Sequence, residues 1–300
     1  MLWLTINLWQ HVSLGYQFRF EQSSAKILQQ TNYSFDISVT EIFWPLATGH
    51  ILVMAEPQYR HNILYNYQLI EQQQIQAICM VPSALNVLLK NLNSEQRLDS
   101  LQYALICGEA LALDTVQSFY NKAAGKLYNI YGPTETVIYA SAVETRANDE
   151  LVTIGKPIAN SKFYILNEKL QPQPLGVTGE IYIGGEILSN QYLNRPELNV
   201  ERFIDNPFDK GKIYKTGDLG RYLANGEIEF LGRNDTQVKV NGYRIEVSEI
   251  GAIFTNMPKV EQAAIIKDAE QNCLVAYYVG ADLEIDVIIE YLAKYLPEYM

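Results

Sequence analysis

Between about residues 50 and 130, four short apolar runs (HILVMAE, IQAICMV, LQYALICG and KLYNIYG) alternate with helix-period segments near 63–73, 83–91 and 113–122. Such alternation has few structural solutions. Each run reads as a strand, each intervening segment as a covering helix, and the unit repeats as βαβ around a parallel sheet. Ligands of such sheets bind beyond the carboxyl ends of the strands. ICGEAL and NIYGPTE both fall where a strand gives way to a loop, which makes them candidate site walls.

From about 160 to 232 the pattern changes to short β segments (KFYILN, GEIYIGG, GEIEFLG) separated by Gly, Pro and Asn turns, as in hairpins of a small barrel or sheet. After Asp235, QVKVNGYRIE, a helix near 248–256, strands at VEQAAIIKD and CLVAYYV, and a helix from about 284 make a small α+β unit. The expected class is α/β: a parallel-sheet βαβ core with a small β-barrel or sheet subdomain, then a small α+β C-terminal subdomain. The expected division is 1–234 and 235–300, with a short structured joint at 232–236 because no flexible linker composition occurs there.

Composition narrows the function classes. A chain of 300 residues with 48% hydrophobic and 19% charged residues is globular rather than disordered. A formal charge of −11 and the absence of any basic run argue against nucleic acid as partner. Cys79, Cys107 and Cys273 show no paired spacing for zinc and read as reduced, cytosolic thiols. The opening MLWLTINLWQHVSLGYQF lacks a basic start and is broken by polar residues, so it is expected to be neither a signal peptide nor a membrane span. Leu4, Leu8 and Val12 recur at helical spacing, suggesting a core-facing helix and a chain cut rather than begun at Met1.

Three segments carry chemistry. FDISVTE (35–41) places Asp36 in an apolar, β-prone stretch where a buried carboxylate needs a cation, although a helix N-cap or a surface Asp is the plainer reading of the segment alone. NIYGPTE (129–135) offers an aromatic face for a purine at Tyr131 and close backbone approach at Gly132. It adds a phosphate donor at Thr134 and an oxygen ligand for magnesium at Glu135; an ordinary capped turn is the alternative. YKTGDL (214–219) and GRNDTQVKVNGYRIE (232–246) bring Asp218, suited to vicinal hydroxyls, and Arg233, suited to ribose or phosphate oxygens; a structural ion pair is the alternative.

Taken in order, FDISVTE, CGEAL, NIYGPTE, GEIYIGG, YKTGDL, GRNDTQVKVNGYRIE and LPEYM resemble the adenylation domains of nonribosomal peptide synthetases over essentially the whole chain. The resemblance implies that Tyr131 stacks on adenine, that Thr134 and Glu135 serve phosphate and Mg2+, and that Asp218 binds ribose. It further places Asn129 near the adenine amino group, Arg233 at ribose or phosphate, and Gly132 and Phe230 among the nucleotide contacts. The amino-acid pocket would comprise Asp36, holding the α-ammonium, with Ile37, Thr40, Cys79, Leu105, Cys107, Ile130, Ile138 and Tyr139, and would take a small to medium, uncharged side chain.

The same resemblance implies ATP-dependent formation of aminoacyl-AMP with release of pyrophosphate. Transfer to the phosphopantetheine thiol of a peptidyl carrier domain would follow, with Asp235 as hinge, a condensation domain as neighbour and a cytoplasmic setting. Gly242 would let the backbone approach the incoming arm, although a plain turn glycine is the alternative. The family's phosphate loop would precede Met1 and its late lysine would follow Met300, so these 300 residues alone are expected to turn over little. Ser189, Asn190 and Gln191 replace small or basic residues of the family pattern, and Asn241 stands where Arg is frequent. The rivals are an acyl-CoA or aryl-acid ligase, for which Asp36 would have no ammonium to meet, and a non-catalytic nucleotide-binding relic.

Overall fold

The computed structural model describes residues 2–3, 24–60, 62–240, 242–268 and 273–300. The helix expected around Leu4, Leu8 and Val12, and the substituted position Asn241, lie outside the described residues. The chain divides into two compact units, Met1–Gly232 and Arg233–Met300.

The first unit is built on a seven-stranded sheet. Its spatial order is Ile51–Met54, Lys26–Gln29, Ala77–Met80, Tyr103–Cys107, Lys126–Tyr131, Ser141–Glu144 and Lys156–Pro157. The first five strands are mutually parallel, and the last two pairings, Lys126–Tyr131 with Ser141–Glu144 and Ser141–Glu144 with Lys156–Pro157, are antiparallel. The helices Ile63–Gln73, Pro82–Asn91 and Leu113–Lys122 alternate with the strands as the apolar rhythm predicts. Side chains alternate faces along each strand. Ile78, Ala104, Ile106 and Leu127 therefore join Leu85, Val116 and Phe119 in one core layer. Ala77, Cys79, Tyr103, Leu105, Cys107 and Ile130 form the opposite layer with Trp44 and Tyr139.

A second sheet of five strands is antiparallel throughout its ordered path, Phe203–Asp205, Lys212–Tyr222, Gly179–Gly185 and Ser161–Leu166, with Ile228–Arg233 also paired to Lys212–Tyr222. The Arg233–Met300 unit holds two antiparallel hairpins, Gln237–Val240 with Tyr243–Glu246 and Val260–Asp268 with Cys273–Gly280, and helices Val247–Thr255 and Ile285–Leu292. Small clusters around Ile245 and Phe254 form its core.

Two features differ from the sequence reading. The stretch 35–41, read as β-prone, opens the helix Ile37–Thr48, which Gly49 ends in a left-handed conformation. Ser38, Thr40, Glu41, Trp44 and Pro45 are its buried residues, and their recurrence at three- and four-residue spacing lets tertiary packing override β propensity. The strand Lys26–Gln29 has only Ile27 and Leu28 as apolar residues, too short a run to stand out, yet it lies between Ile51–Met54 and Ala77–Met80.

Glu41 fastens that strand to that helix. Its carboxyl accepts from the backbone N–H of Gln30 (3.3 Å) and Thr31 (3.0 Å), the Thr31 hydroxyl (2.8 Å) and Gln29 Nε2 (3.3 Å). The residue is fully buried, and that burial outweighs the hydrogen bonds, raising its pKa from 4.5 to about 7. A carboxyl with a raised folded pKa holds its proton better in the folded state. Its stabilising contribution is thus complete below about pH 4.5 and is lost as pH rises through about 7. Urea unfolding of the wild type and Glu41→Gln across that window should show the wild type losing on the order of 3 kcal/mol relative to the variant. A difference independent of pH would contradict the assignment.

Candidate functional site

The loops after the parallel strands leave the sheet at one edge, and several candidate residues of the first unit stand on or beside those strand ends. On one face, Cys79, Leu105, Cys107 and Ile130 come from three adjacent strands and pack with Ile138 and Tyr139, while Ile37 lies against them from the helix Ile37–Thr48. Thr40 is buried on the same helix. Asp36 immediately precedes that helix, makes no side-chain cap hydrogen bond, and is half-buried. The Tyr139 phenol is pushed well above its ordinary pKa, first by burial, then by Cys79 and Cys107, and also by the Asp36 carboxylate. The Cys79 thiol is raised by burial, then by Glu41 and Cys107. Both groups are therefore neutral at pH 7, and neither places a charge in this cluster.

On the opposite side of the same strand end stands Tyr131. Its hydroxyl donates to Asp218 Oδ2 at 2.5 Å, joining residues 87 positions apart, both buried. The TGD turn that presents Asp218 is itself fastened. Thr216 Oγ1 donates to the Ile181 carbonyl (2.7 Å) and accepts the Asp218 N–H (2.9 Å), and Glu180 accepts the Gly217 N–H (3.0 Å). The Tyr131 ring lies 6.1 Å from Phe163 and 6.3 Å from Phe230, so Phe230 joins the group.

Gly132 follows. A Cβ there would meet the Ile138 carbonyl at 2.4 Å and the Tyr139 Cα at 2.8 Å, so this glycine admits the chain's own returning backbone. Thr134 and Glu135 lie in a single 3-10 turn, Thr134–Thr136, with Thr134 half-buried and Glu135 only 2% exposed. Asn129 is buried and its Nδ2 donates to the Thr153 carbonyl at 2.7 Å. The substituted loop closes over this turn, where Ser189 N–H donates to the Glu135 carbonyl at 2.8 Å. The Ser189 hydroxyl is buried with no hydrogen-bond partner among the described residues.

Arg233 and Asp235 belong to the Arg233–Met300 unit. They form a two-pronged ion pair, Nε to Oδ1 and Nη2 to Oδ2, each at 2.7 Å, and Asp235 also accepts the Gln237 N–H at 3.2 Å. The alternative of a structural ion pair for Arg233 is thus present, with Asp235 as a partner.

Three carboxyl or phenol groups here carried no role in the sequence reading: Glu41, Tyr192 and Tyr214. Tyr192 donates to Glu135 Oε1 at 2.5 Å and lies 3.3 Å from the Tyr214 hydroxyl. Tyr214 stands in the quoted YKTGDL, and Tyr192 three residues past Ser189, but nothing in either segment indicates that they meet Glu135. Among the described residues no group of three or more His, Cys, Asp and Glu gathers. That donor set does not suit a resident metal cage. Mg2+ is commonly held by one or two carboxylates together with substrate phosphates, and a single carboxylate such as that of Glu135 would suit that mode.

A sequence profile of the family described as AMP-binding enzyme matches residues 2–193. Tyrocidine synthase 3 of Brevibacillus parabrevis is 41% identical over 281 residues, covering 91% of this chain and 4% of that protein. Among solved structures, the Vibrio cholerae adenylation domain AlmE in complex with glycyl-adenosine-5'-phosphate superposes with a TM-score of 0.88 at 24% identity, covering 97% of this chain and 57% of that one. A four-domain nonribosomal peptide synthetase bound to AMP and glycine gives 0.69 at 31% identity, over 97% of this chain and 22% of that one. The chain thus spans a small fraction of the synthetase it matches and about half of the AlmE chain. With its parallel sheet and its Tyr131–Asp218 junction in place, the chain belongs to the AMP-binding enzyme family.

Proposed function

We propose that this chain contributes the nucleotide and amino-acid sites of an enzyme that activates an amino acid with ATP for nonribosomal peptide synthesis. The supporting observation is the division of labour at one strand end. Ile130 faces a largely apolar cluster with Asp36 near its edge, and Tyr131 faces Asp218 and Phe230 on the other side. An ammonium at Asp36 and a nucleoside at Tyr131 and Asp218 would bring a substrate carboxylate and a phosphate chain toward the loop 132–135 between them. The apolar, mid-sized lining (Ile37, Cys79, Leu105, Cys107, Ile130 and Ile138) suits a small to medium uncharged side chain. Homologous segments of tyrocidine synthase 3 support the assignment to peptide synthesis.

The reaction forms a bond between the amino-acid carboxylate oxygen and the α-phosphorus of ATP and breaks the bond from that phosphorus to the pyrophosphate oxygen. Two anions must approach each other. When bound, Mg2+ supplies positive charge to the phosphate oxygens. Glu135 would hold it, and the Thr134 hydroxyl would donate to a phosphate oxygen. Tyr131 would stack on the adenine, Asn129 Oδ1 would accept from its amino group, and Asp218, an acceptor with more than one lone-pair site, would take a ribose hydroxyl in addition to Tyr131. Arg233 would reach ribose or phosphate after releasing Asp235. The acyl group would then pass to the phosphopantetheine thiol of a carrier domain, with Asp235 as hinge and a condensation domain as neighbour. Among the described residues no helix is long and apolar enough to cross a membrane. Cys79, Cys107 and Cys273 form no disulfide among the described residues, which suits the reducing cytoplasm in which we place the reaction.

Asp36→Ala in the intact protein should raise the KM for the amino acid by about thirtyfold or more in pyrophosphate exchange, because the variant leaves the ammonium unpaired, and should change the KM for ATP far less. An unchanged amino-acid KM, or gained activity on an acid lacking the amino group, would support an acyl or aryl-acid ligase instead. Asp235→Pro should cut carrier loading by about tenfold or more while the adenylation half-reaction falls less, since only the second step needs the joint to turn. Equal losses in both steps would remove Asp235 from the hinge.

A further inference from the structure

The carboxylate of Glu135 sits on a strained turn. The two residues that follow the 3-10 turn Thr134–Thr136, Val137 (φ 55°) and Ile138 (φ 79°), are β-branched and yet in left-handed conformations. Such backbone persists only where its surroundings hold it. The surroundings on the Glu135 side are supplied by the strand Gln191–Tyr192 and the loop before it. Ser189 N–H holds the Glu135 carbonyl, and the Tyr192 hydroxyl holds Oε1.

Tyr192 is itself held in three ways. Asn199, on the helix Pro196–Arg202, reads both of its backbone groups: the Tyr192 N–H donates to Asn199 Oδ1 at 2.6 Å, and Asn199 Nδ2 donates to the Tyr192 carbonyl at 2.9 Å. The ring packs edge-on against Phe203 at 5.5 Å, and Phe203 in turn packs against Tyr214 at 5.2 Å. The phenol also meets the fully buried Tyr214 hydroxyl. A side chain clamped at backbone, ring and hydroxyl presents its proton to Oε1 from a fixed direction. A carboxylate retains acceptor capacity beyond one such bond.

We propose that Tyr192 is the positioning residue of Glu135: its phenol fixes one carboxylate oxygen so that the group is aimed at the Mg2+ of a bound nucleotide, and Asn199 keeps Tyr192 in register. This rests on the reading of Glu135 as the magnesium ligand. Partners that orient a metal-binding carboxylate act through geometry, and their loss weakens metal affinity by about tenfold to a hundredfold.

The test is titration calorimetry on the intact protein, measuring AMP binding without metal and ATP binding at increasing Mg2+, for the wild type, Tyr192→Phe, Asn199→Asp and Glu135→Gln. Tyr192→Phe keeps the ring and removes only the hydroxyl. It should leave metal-free AMP affinity within about twofold and raise the Mg2+ concentration that half-maximally tightens ATP by about tenfold or more. Asn199→Asp keeps the acceptor, loses the donor, and should shift the Mg2+ response in the same direction. Glu135→Gln should lose most of the Mg2+ response. A wild-type Mg2+ response in Tyr192→Phe, with Glu135→Gln impaired, would overturn the positioning role and leave Glu135 in place. Parallel losses of metal-free AMP binding and of the Mg2+ response in Tyr192→Phe would reveal a merely structural tyrosine and overturn it too. An unaltered response in Glu135→Gln would overturn the magnesium reading itself, and the role of Tyr192 with it.

Discussion

A hydrogen bond from the Tyr131 hydroxyl to Asp218 ties the last parallel strand of the large sheet to the longest strand of the small one. A neutral donor on a buried carboxylate is worth about 1.5–3 kcal/mol, and leaving that carboxylate unmet would cost more. The bond therefore constrains everything built around it. The TGD turn must present Asp218 at one place, which Thr216 and Glu180 ensure, and the Tyr131 ring must stay beside Phe163 and Phe230. The nucleotide contacts we assign to Tyr131, Phe230 and Asp218 thus fall in one place because the two sheets are joined there.

The period of two along a strand does the rest. Ile130 and Tyr131 are adjacent in sequence and point to opposite faces, one into the layer with Cys79, Leu105, Cys107 and Tyr139, the other toward Asp218. Moving the register of Lys126–Tyr131 by one residue would exchange those faces and place the tyrosine among the thiols. The same economy holds at the turn beyond. Gly132 is small because the backbone of Ile138–Ala140 returns across it, and the strain at Val137 and Ile138 is balanced by packing, since all three side chains of Val137, Ile138 and Tyr139 are buried.

The sequence displays the parallel core openly because strands buried on both faces are continuous apolar runs and their helices have a different period. The hairpin region and the small α+β unit are legible from their turns. The strand Lys26–Gln29 is not, because two apolar residues between Lys and Gln carry no periodic signal and its place in the sheet is decided by neighbours. FDISVTE misleads for a related reason: its β-branched residues favour strand locally, and only the packing of Trp44 and the tethering of Glu41 make it a helix. At the site, residue types announce Asp36, Tyr131, Glu135 and Asp218 as chemically apt. Tyr192 and Asn199 could not be read, since their significance lies in a contact made across 57 positions of chain and in a backbone clamp.

The most direct measurement is a crystal structure of the intact protein with a non-hydrolysable aminoacyl-adenylate analogue. The adenine should lie on the Tyr131 ring, a ribose hydroxyl should donate to Asp218 while the Tyr131 hydroxyl remains bonded to it, and the analogue's ammonium should meet Asp36. An adenosine bound elsewhere, with Tyr131, Asp218 and Asp36 untouched, would contradict the assignment of this strand end as the place where nucleotide and amino acid meet.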